Sequence, residues 1–451
     1  MLQKAKIVSV FLTALIAVSV FTGCNKTSSI DGNSKNLRVL NYADMTVANT
    51  VADQKWTWNT FKTNNPDIKL KIEDLFNEPF HNKTEAYAAS GNLPDVLYVW
   101  PSGRSTSLHQ NRLLKDLTPL VERDGLKQVY YPIALDPSQQ ASNYLAMIPL
   151  TMTATHVFFV NTEVLNACGL QPAKTYRELR SQVAVLKAKG YETVIMPNQD
   201  TWVMQSCLFS MIAGRFGGVD WHEKILSGQA KFTDKEFVNA LDFIRRLYAD
   251  GVIEKSSLAM SYGDGPGLFA SNKGAYYIDG DWRVGAFITD ASTGQALLPP
   301  DRQTNIKLTV FPDIEDAKIN KTNSVILGTG WAMNAAIPQG SAREEAAWKL
   351  IKWLTGVEVQ TLGVEHAAYS AAARTDINIA NLKLEPIQRT AAGLAGEYNA
   401  ASAVIDGVFH SDVFNLINDG LQEIGLGTKT PQQVADDVQK AFDRGRAAGT
   451  F

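Results

Sequence analysis

Cysteine is scarce in this chain of 451 residues: there are three, at Cys24, Cys168 and Cys207. None stands at metal-ligand spacing from the scattered histidines, His81, His109, His156, His222, His366 and His410, and no H-E-x-x-H is present, which argues against a metal site. No G-x-x-x-x-G-K-[ST] loop occurs, so nucleotide hydrolysis is excluded. "GDGPG", residues 263 to 267, lacks the strand-turn-helix setting of a phosphate cradle and reads as a loop. No G-x-S-x-G elbow is available for an α/β-hydrolase nucleophile. The formal charge of -3 is spread without a basic stripe, which removes nucleic acid as a partner. Internal repeats, low-complexity tracts and a second long apolar run are also missing.

What is present is the composition of an ordinary soluble globular protein, 45% hydrophobic and 20% charged. Its length favours two domains or one large discontinuous fold. At the N-terminus Lys4 and Lys6 precede an apolar run from Ile7 to Phe21, long enough for an export signal and short for a membrane span. Phe21-Thr22-Gly23-Cys24 follows and resembles a bacterial lipoprotein cleavage site, with Phe21 where Leu is usual; Cys24 is then the lipidated residue. Residues 25 to 36, "NKTSSIDGNSKN", are polar and suit a flexible tether. Cys168 and Cys207 sit in apolar helical contexts that read as small buried hydrophobes, with a disulfide as the alternative.

From Leu37 strand and helix signals alternate: "LRVLNY", "ADQKWTWNTFKTNN", "IKLKIEDL", a shorter helix, then "DVLYVW". Such βαβαβ units give a parallel sheet, with ligands bound beyond the carboxyl ends of the strands, where Tyr42 to Asp44 and Trp100 fall. "HVFFVN", "TVIMPN", "GAYYIDG" and "IKLTVFP" announce a second α/β lobe. Four helix starts fit a capping box: Thr175 with Glu178, Thr233 with Glu236, Ser341 with Glu344 and Thr430 with Gln433. Phe237, Leu241, Ile244 and Tyr248 draw one apolar stripe before Gly251.

Tryptophan is placed unusually. Trp100, Trp202 and Trp282 each follow an apolar run closely, in "LYVW", "VIMPNQDTW" and "YYIDGDW". An indole at a cleft mouth offers a flat apolar face to the C–H face of a sugar ring, whereas Trp58, Trp348 and Trp353 read as packing within helices. Asp279 and Asp281 flank Gly280 at a strand end, a pair that turn chemistry or hydroxyl binding explains better than glycoside hydrolysis.

The order of segments resembles the extracellular solute-binding proteins of ABC importers, in their maltose-binding-protein-like, oligosaccharide-binding branch. The resemblance runs from Cys24 to the C-terminus through "FKTNNPDIKLKI", "GNLPDVLYVW", "LLKDLTPLVERDG", "LAMIPLTMTATHVFFVNTEVLNACGLQPAKTYREL", "KGAYYIDGDW" and "GTGWAMNAAIPQGSAREEAAWKLIKWLTG". It implies an α/β, periplasmic-binding-protein-like fold: two lobes around a hinged ligand cleft, residues 37–150 plus 325–372 forming one and 151–324 plus 373–451 the other, after a signal peptide at 1–23 and a tether at 24–36. It implies Trp100 as a first-lobe platform, Arg104 as a basic ligand contact and Asp44 as a hydroxyl acceptor. In the second lobe it implies Asp200 with Trp202, Trp282 after Gly280, and Trp331 beside the second crossing, where the family counterpart is often core; Asp281, at the strand end itself, is read as orienting hydroxyls. Thr153 stands where the maltodextrin binders carry a carboxylate, which puts maltose in doubt, and Tyr176 replaces a common Trp as a packing change.

The expectation is an exported, lipid-anchored, monomeric binding protein without enzymatic activity, cofactor or metal, delivering a sugar or oligosaccharide to the transmembrane subunits of an ABC permease. The alternatives are capture of a peptide or polyamine, a surface glycan-active enzyme, or an adhesin.

Overall fold

Apolar runs bounded by turn residues become strands whose sheet position follows from how many faces they bury. In the computed structural model, which describes residues 30–290 and 293–449, the strands are β1 Asn36–Tyr42, β2 Lys69–Leu75, β3 Val96–Val99, β4 Met147–Pro149, β5 Met152–Ala154, β6 Val157–Asn161, β7 Glu192–Ile195, β8 Gly274–Asp279, β9 Ile306–Thr309, β10 Thr322–Leu327, β11 Gly330–Met333 and β12 Ala400–Ser402. They form sheets of order β2-β1-β3-β11-β4, β7-β8-β6-β9 and β12-β10-β5.

The first sheet begins as the alternation requires, with β1 parallel to β2 from Asn36↔Lys69 and parallel to β3 at Val39↔Val96. β3 lies at its centre, and its continuous apolar sequence matches burial on both faces. The helices Ala48–Asn64 and Ala342–Leu354 cover it, adding Trp58, Phe61, Trp348 and Ile351 to a core with Leu37, Val39, Val96 and Leu97.

In the second sheet β8 is buried at every position, between parallel β7 and antiparallel β6. The expected stripe on helix Lys235–Ala249 is buried and faces a core shared with helices Ser411–Leu426 and Pro431–Ala448. The short third sheet carries the chain between the two larger ones: Thr155 beside β5 bonds Ser324 in β10 through N–H to O at 2.9 Å and Oγ1 to Oγ at 2.7 Å.

Three local expectations need correction. Helix Lys235–Ala249 is preceded by Asp234 as its cap residue, so Thr233 makes no box with Glu236. "GDGPG" opens a helix, Asp264–Ala270, because Pro266 falls in its first turn, where the missing N–H costs nothing. Ile30 to Lys35, expected in the tether, lie against the first core: Gly32 O accepts the N–H of Arg343 at 2.8 Å and Ile30 packs on the apolar residues. Thr175, Ser341 and Thr430 accept backbone N–H groups as expected, and Thr430 with Gln433 completes both halves of a capping box. Cys24 and the apolar run before it lie outside the described residues. Among the described residues no helix is long and apolar enough to cross a membrane.

Candidate functional site

The carboxyl ends of β1 and β3 deliver Tyr42, Tyr98 and Trp100 into one aromatic group. Tyr42 and Tyr98 stack at 5.6 Å, and Trp100 meets Tyr42 edge-on at 5.0 Å. Phe80 and His81, from helix Glu78–Ala89, close on Trp100 at 5.9 and 4.8 Å. Burial, with the nearby charge of Arg104, pulls the His81 ring down to about 3, so it sits among the rings as a neutral imidazole. Trp100 itself is half-buried. Its backbone is fixed by Ser105 Oγ, which accepts its N–H at 3.1 Å, and by His109 Nε2–H, which donates to its carbonyl at 2.8 Å.

Beyond β7 and β8 a second group forms around a carboxylate. Asp279 is fully buried and accepts from Tyr277 Oη at 2.5 Å, Arg283 Nε at 2.7 Å, the Gly280 N–H at 2.8 Å and Tyr262 Oη at 3.1 Å. Cys207 Sγ lies 3.8 Å from it. Burial and this charge push the Cys207 thiol well up, so it is an unreactive thiol; it and Cys168 are both free. Tyr262 Oη accepts the indole N–H of Trp282 at 2.6 Å, and its ring meets Trp202 edge-on at 5.0 Å. Trp202 starts a helix that continues through a π-helical stretch, Gln205–Phe209, into Ser210–Gly217. Such stretches concentrate at functional sites.

Two seams join the segment after Trp100 and the helix Ala48–Asn64 to later parts of the chain. A Cβ placed on Gly103, whose φ is +39°, would lie 1.3 Å from the carbonyl oxygen of Asp406. Only glycine fits that approach and that backbone. Burial raises the Asp406 carboxyl, and the charge of Arg104 across the seam opposes the rise. At the second seam Asn49 Nδ2 reaches the Thr289 carbonyl at 3.4 Å.

The expected residues do not all join this site. Trp100 and Arg104 lie on the first wall, and Trp202 and Trp282 on the second. Arg104 is held within its own wall by Glu78 at 2.8 Å. Asp44 is half-buried beyond β1 and uses Oδ1 to accept from Thr46 N and Oγ1, at 3.0 and 2.6 Å, as an Asx-turn does. Asp200 is half-buried ahead of Trp202, and its carbonyl accepts the Val203 N–H.

Two expectations are corrected. Trp331 is 4% exposed, pairs with Tyr98 across β11 and β3, and meets Trp58 and Tyr98 edge-on, so it belongs to the first core. Its position inside a strand, not at its end, is the reason. Asp281 is buried and turned toward β5, where Oδ2 accepts the Ala154 N–H at 3.1 Å, so it ties the second sheet to the crossing instead of orienting hydroxyls. Burial pushes its carboxyl up to about 7, against the pull of the Ala154 and Trp282 N–H groups.

Sequence reasoning missed Tyr262, Arg283, Gly103 and Asp406, and it saw Asp279 only as half of a turn. "Asp-Gly-Asp" at a strand end was the one visible signal. A cavity of about 170 Å³ lined by Gly217, Trp221 and Phe237 lies at the far end of the helix that starts near Trp202, and none of the expected residues lines it. No group of His, Cys, Asp and Glu among the described residues could hold a metal ion.

The family model described as "Bacterial extracellular solute-binding protein" matches residues 43–361, and the chain belongs to that family. An uncharacterised ABC transporter extracellular-binding protein of Pyrococcus horikoshii is 20% identical over 235 residues, 50% of this chain and 52% of that one. The maltotriose-binding protein of Pyrococcus abyssi is 22% identical over 296 residues, 64% of this chain and 56% of that one. The chain thus spans about half the length of the curated relatives it matches. Among solved structures, a chitin oligosaccharide binding protein superposes with a TM-score of 0.80 at 19% identity, covering 91% of this chain and 99% of that one. The fold is therefore the α/β, periplasmic-binding-protein-like one that the sequence implied.

Proposed function

We propose that this extracellular solute-binding protein captures a sugar or short oligosaccharide between its two aromatic walls and delivers it to the permease of an ABC importer. The observation that supports the reading is the pair of half-buried indole groups at strand ends, Trp100 after β3 and Trp202 with Trp282 beyond β7 and β8, each set among other aromatic rings. Aromatic faces suit the C–H faces of pyranose rings and exclude water from the hydroxyl bonds beside them. The maltotriose- and chitin-oligosaccharide-binding names among the similar proteins support the same ligand class.

In this reading the lobes are 37–150 plus 325–372 and 151–324 plus 373–451, with β5, β10 and β12 as the crossing sheet. Ligand binding shifts the equilibrium toward a closed form, which the permease recognises. The protein works as a monomer without catalysis, tied to the outer face of a membrane through a lipid on Cys24.

A thermal-shift screen against mono- and oligosaccharides, peptides and polyamines tests it. A saccharide-specific rise in melting temperature that grows with ligand concentration is expected. A shift with peptides or polyamines alone overturns the sugar assignment.

A further inference from the structure

We propose that Tyr262 is the positioning residue of the second wall: its hydroxyl, anchored on Asp279, fixes the Trp282 indole so that only one ring face is offered to the ligand. This rests on the sugar-binding reading for what the ring face meets. The positioning itself is argued from the wall's own geometry.

Trp282 has three of its sides taken. A Cβ placed on Gly280 would lie 2.2 to 2.4 Å from its six-membered ring, so the indole covers bare backbone there, and any side chain at 280 would displace it. Its N–H is consumed by Tyr262 Oη at 2.6 Å, which leaves that donor unavailable to a ligand hydroxyl. Trp202 stands beside it with ring centroids 6.2 Å apart.

Tyr262 is held as firmly as the indole it holds. Its hydroxyl donates to Asp279 Oδ1 at 3.1 Å, while Asp279 is fixed in turn by Arg283, Tyr277 and the Gly280 N–H. The Arg283 guanidinium carbon lies 3.9 Å from the centre of the Tyr262 ring. Burial, reinforced by the Asp279 charge, pushes the Tyr262 hydroxyl well up, so it remains protonated and donating at neutral pH. One hydroxyl thus links a buried carboxylate to a platform indole. Because the same residue touches both Trp202 and Trp282, a change at 262 reaches the whole wall.

The test is a double-mutant cycle on Tyr262→Phe and Trp282→Phe, read by calorimetric titration with maltotriose and with triacetylchitotriose. Tyr262→Phe keeps the ring against Trp202 and Arg283 and removes only the hydroxyl. We expect it to weaken binding about tenfold, the equivalent of ~1.4 kcal/mol, in a protein whose urea midpoint shows it folded. In the Trp282→Phe background the same change should do nothing further, because the indole N–H is gone. Unaltered affinity in Tyr262→Phe, or equal losses in both backgrounds, overturns the proposal.

A loss in Trp282→Ala with none in Tyr262→Phe refutes the positioning role alone, whereas wild-type affinity in Trp282→Ala refutes the cleft assignment itself. A ligand-independent measurement covers the case in which neither saccharide binds. With ¹⁵N-labelled tryptophan, the indole N–H resonance lost in Trp282→Phe should move and exchange faster in Tyr262→Phe. An unmoved resonance overturns the proposal whatever the ligand.

Discussion

The two walls hold their tryptophans by different physics. On the first wall Trp100 is wedged among Tyr42, Phe80, His81 and Tyr98 by ring contacts, with directional bonds only to its backbone. On the second, Trp282 hangs from a chain of hydrogen bonds that ends on the buried Asp279. Ring packing is non-directional and shared among several neighbours, so losing one member leaves the others touching. A buried polar network is directional and costly to break, because each orphaned group remains desolvated. The first wall should therefore tolerate substitution in folding while losing ligand, and the second should lose both together.

The largest expected effect is at Asp279→Ala. It strands the nearly buried Arg283 without its partner, and unfolding in urea should show a loss of ~3–5 kcal/mol. A loss below ~1 kcal/mol would erase the contrast between the walls. Trp100→Ala comes next: affinity for the saccharide found by thermal shift should fall about thirtyfold, or ~2 kcal/mol, with a much smaller change in urea midpoint than Asp279→Ala produces. Equal losses of stability in the two variants would mean that Trp100 belongs to the core.

Asp281 sharpens the comparison through pH. Its carboxyl is raised from the usual 3.8 to about 7 by burial, so the folded protein retains a proton that the unfolded chain releases. The stability this adds is complete below pH 3.8 and is lost as pH rises through about 7. Unfolding free energies of the wild type and Asp281→Asn, measured in urea between those limits, should diverge with a slope of up to ~1.4 kcal/mol per pH unit, the variant lacking this contribution to the slope. Parallel pH profiles would show Asp281 ionised in the fold. The smallest effect belongs to Glu78→Gln, which releases Arg104 from a pair whose Glu78 side chain is 51% exposed. Stability measured in urea should stay within ~0.5 kcal/mol of wild type.

Much of this was legible in the sequence where a rule is local. The parallel pairing of β1 with β2 and β3 followed from the alternation of strand and helix signals, and the place of Trp100 at a strand end was marked by Pro101 and Gly103 just after it. Trp331 misled because its place depends on β11 pairing with β3, a contact over more than two hundred residues that no short pattern encodes. Asp279 and Asp281 were indistinguishable as turn carboxylates. Only the surroundings, four hydrogen-bond donors for one and the Ala154 N–H for the other, separate an anchor from a crossing tie. Tyr262 and Asp406 come from distant segments and carry no motif, so their roles become visible only when the chain is folded.

Gly103 shows how tightly two distant stretches of the chain are fitted together. Its missing methyl group is the clearance between them, since the space a Cβ would need is already taken by the Asp406 carbonyl. An alanine there would have to push the Asp406 backbone aside while strained itself at a φ of +39°.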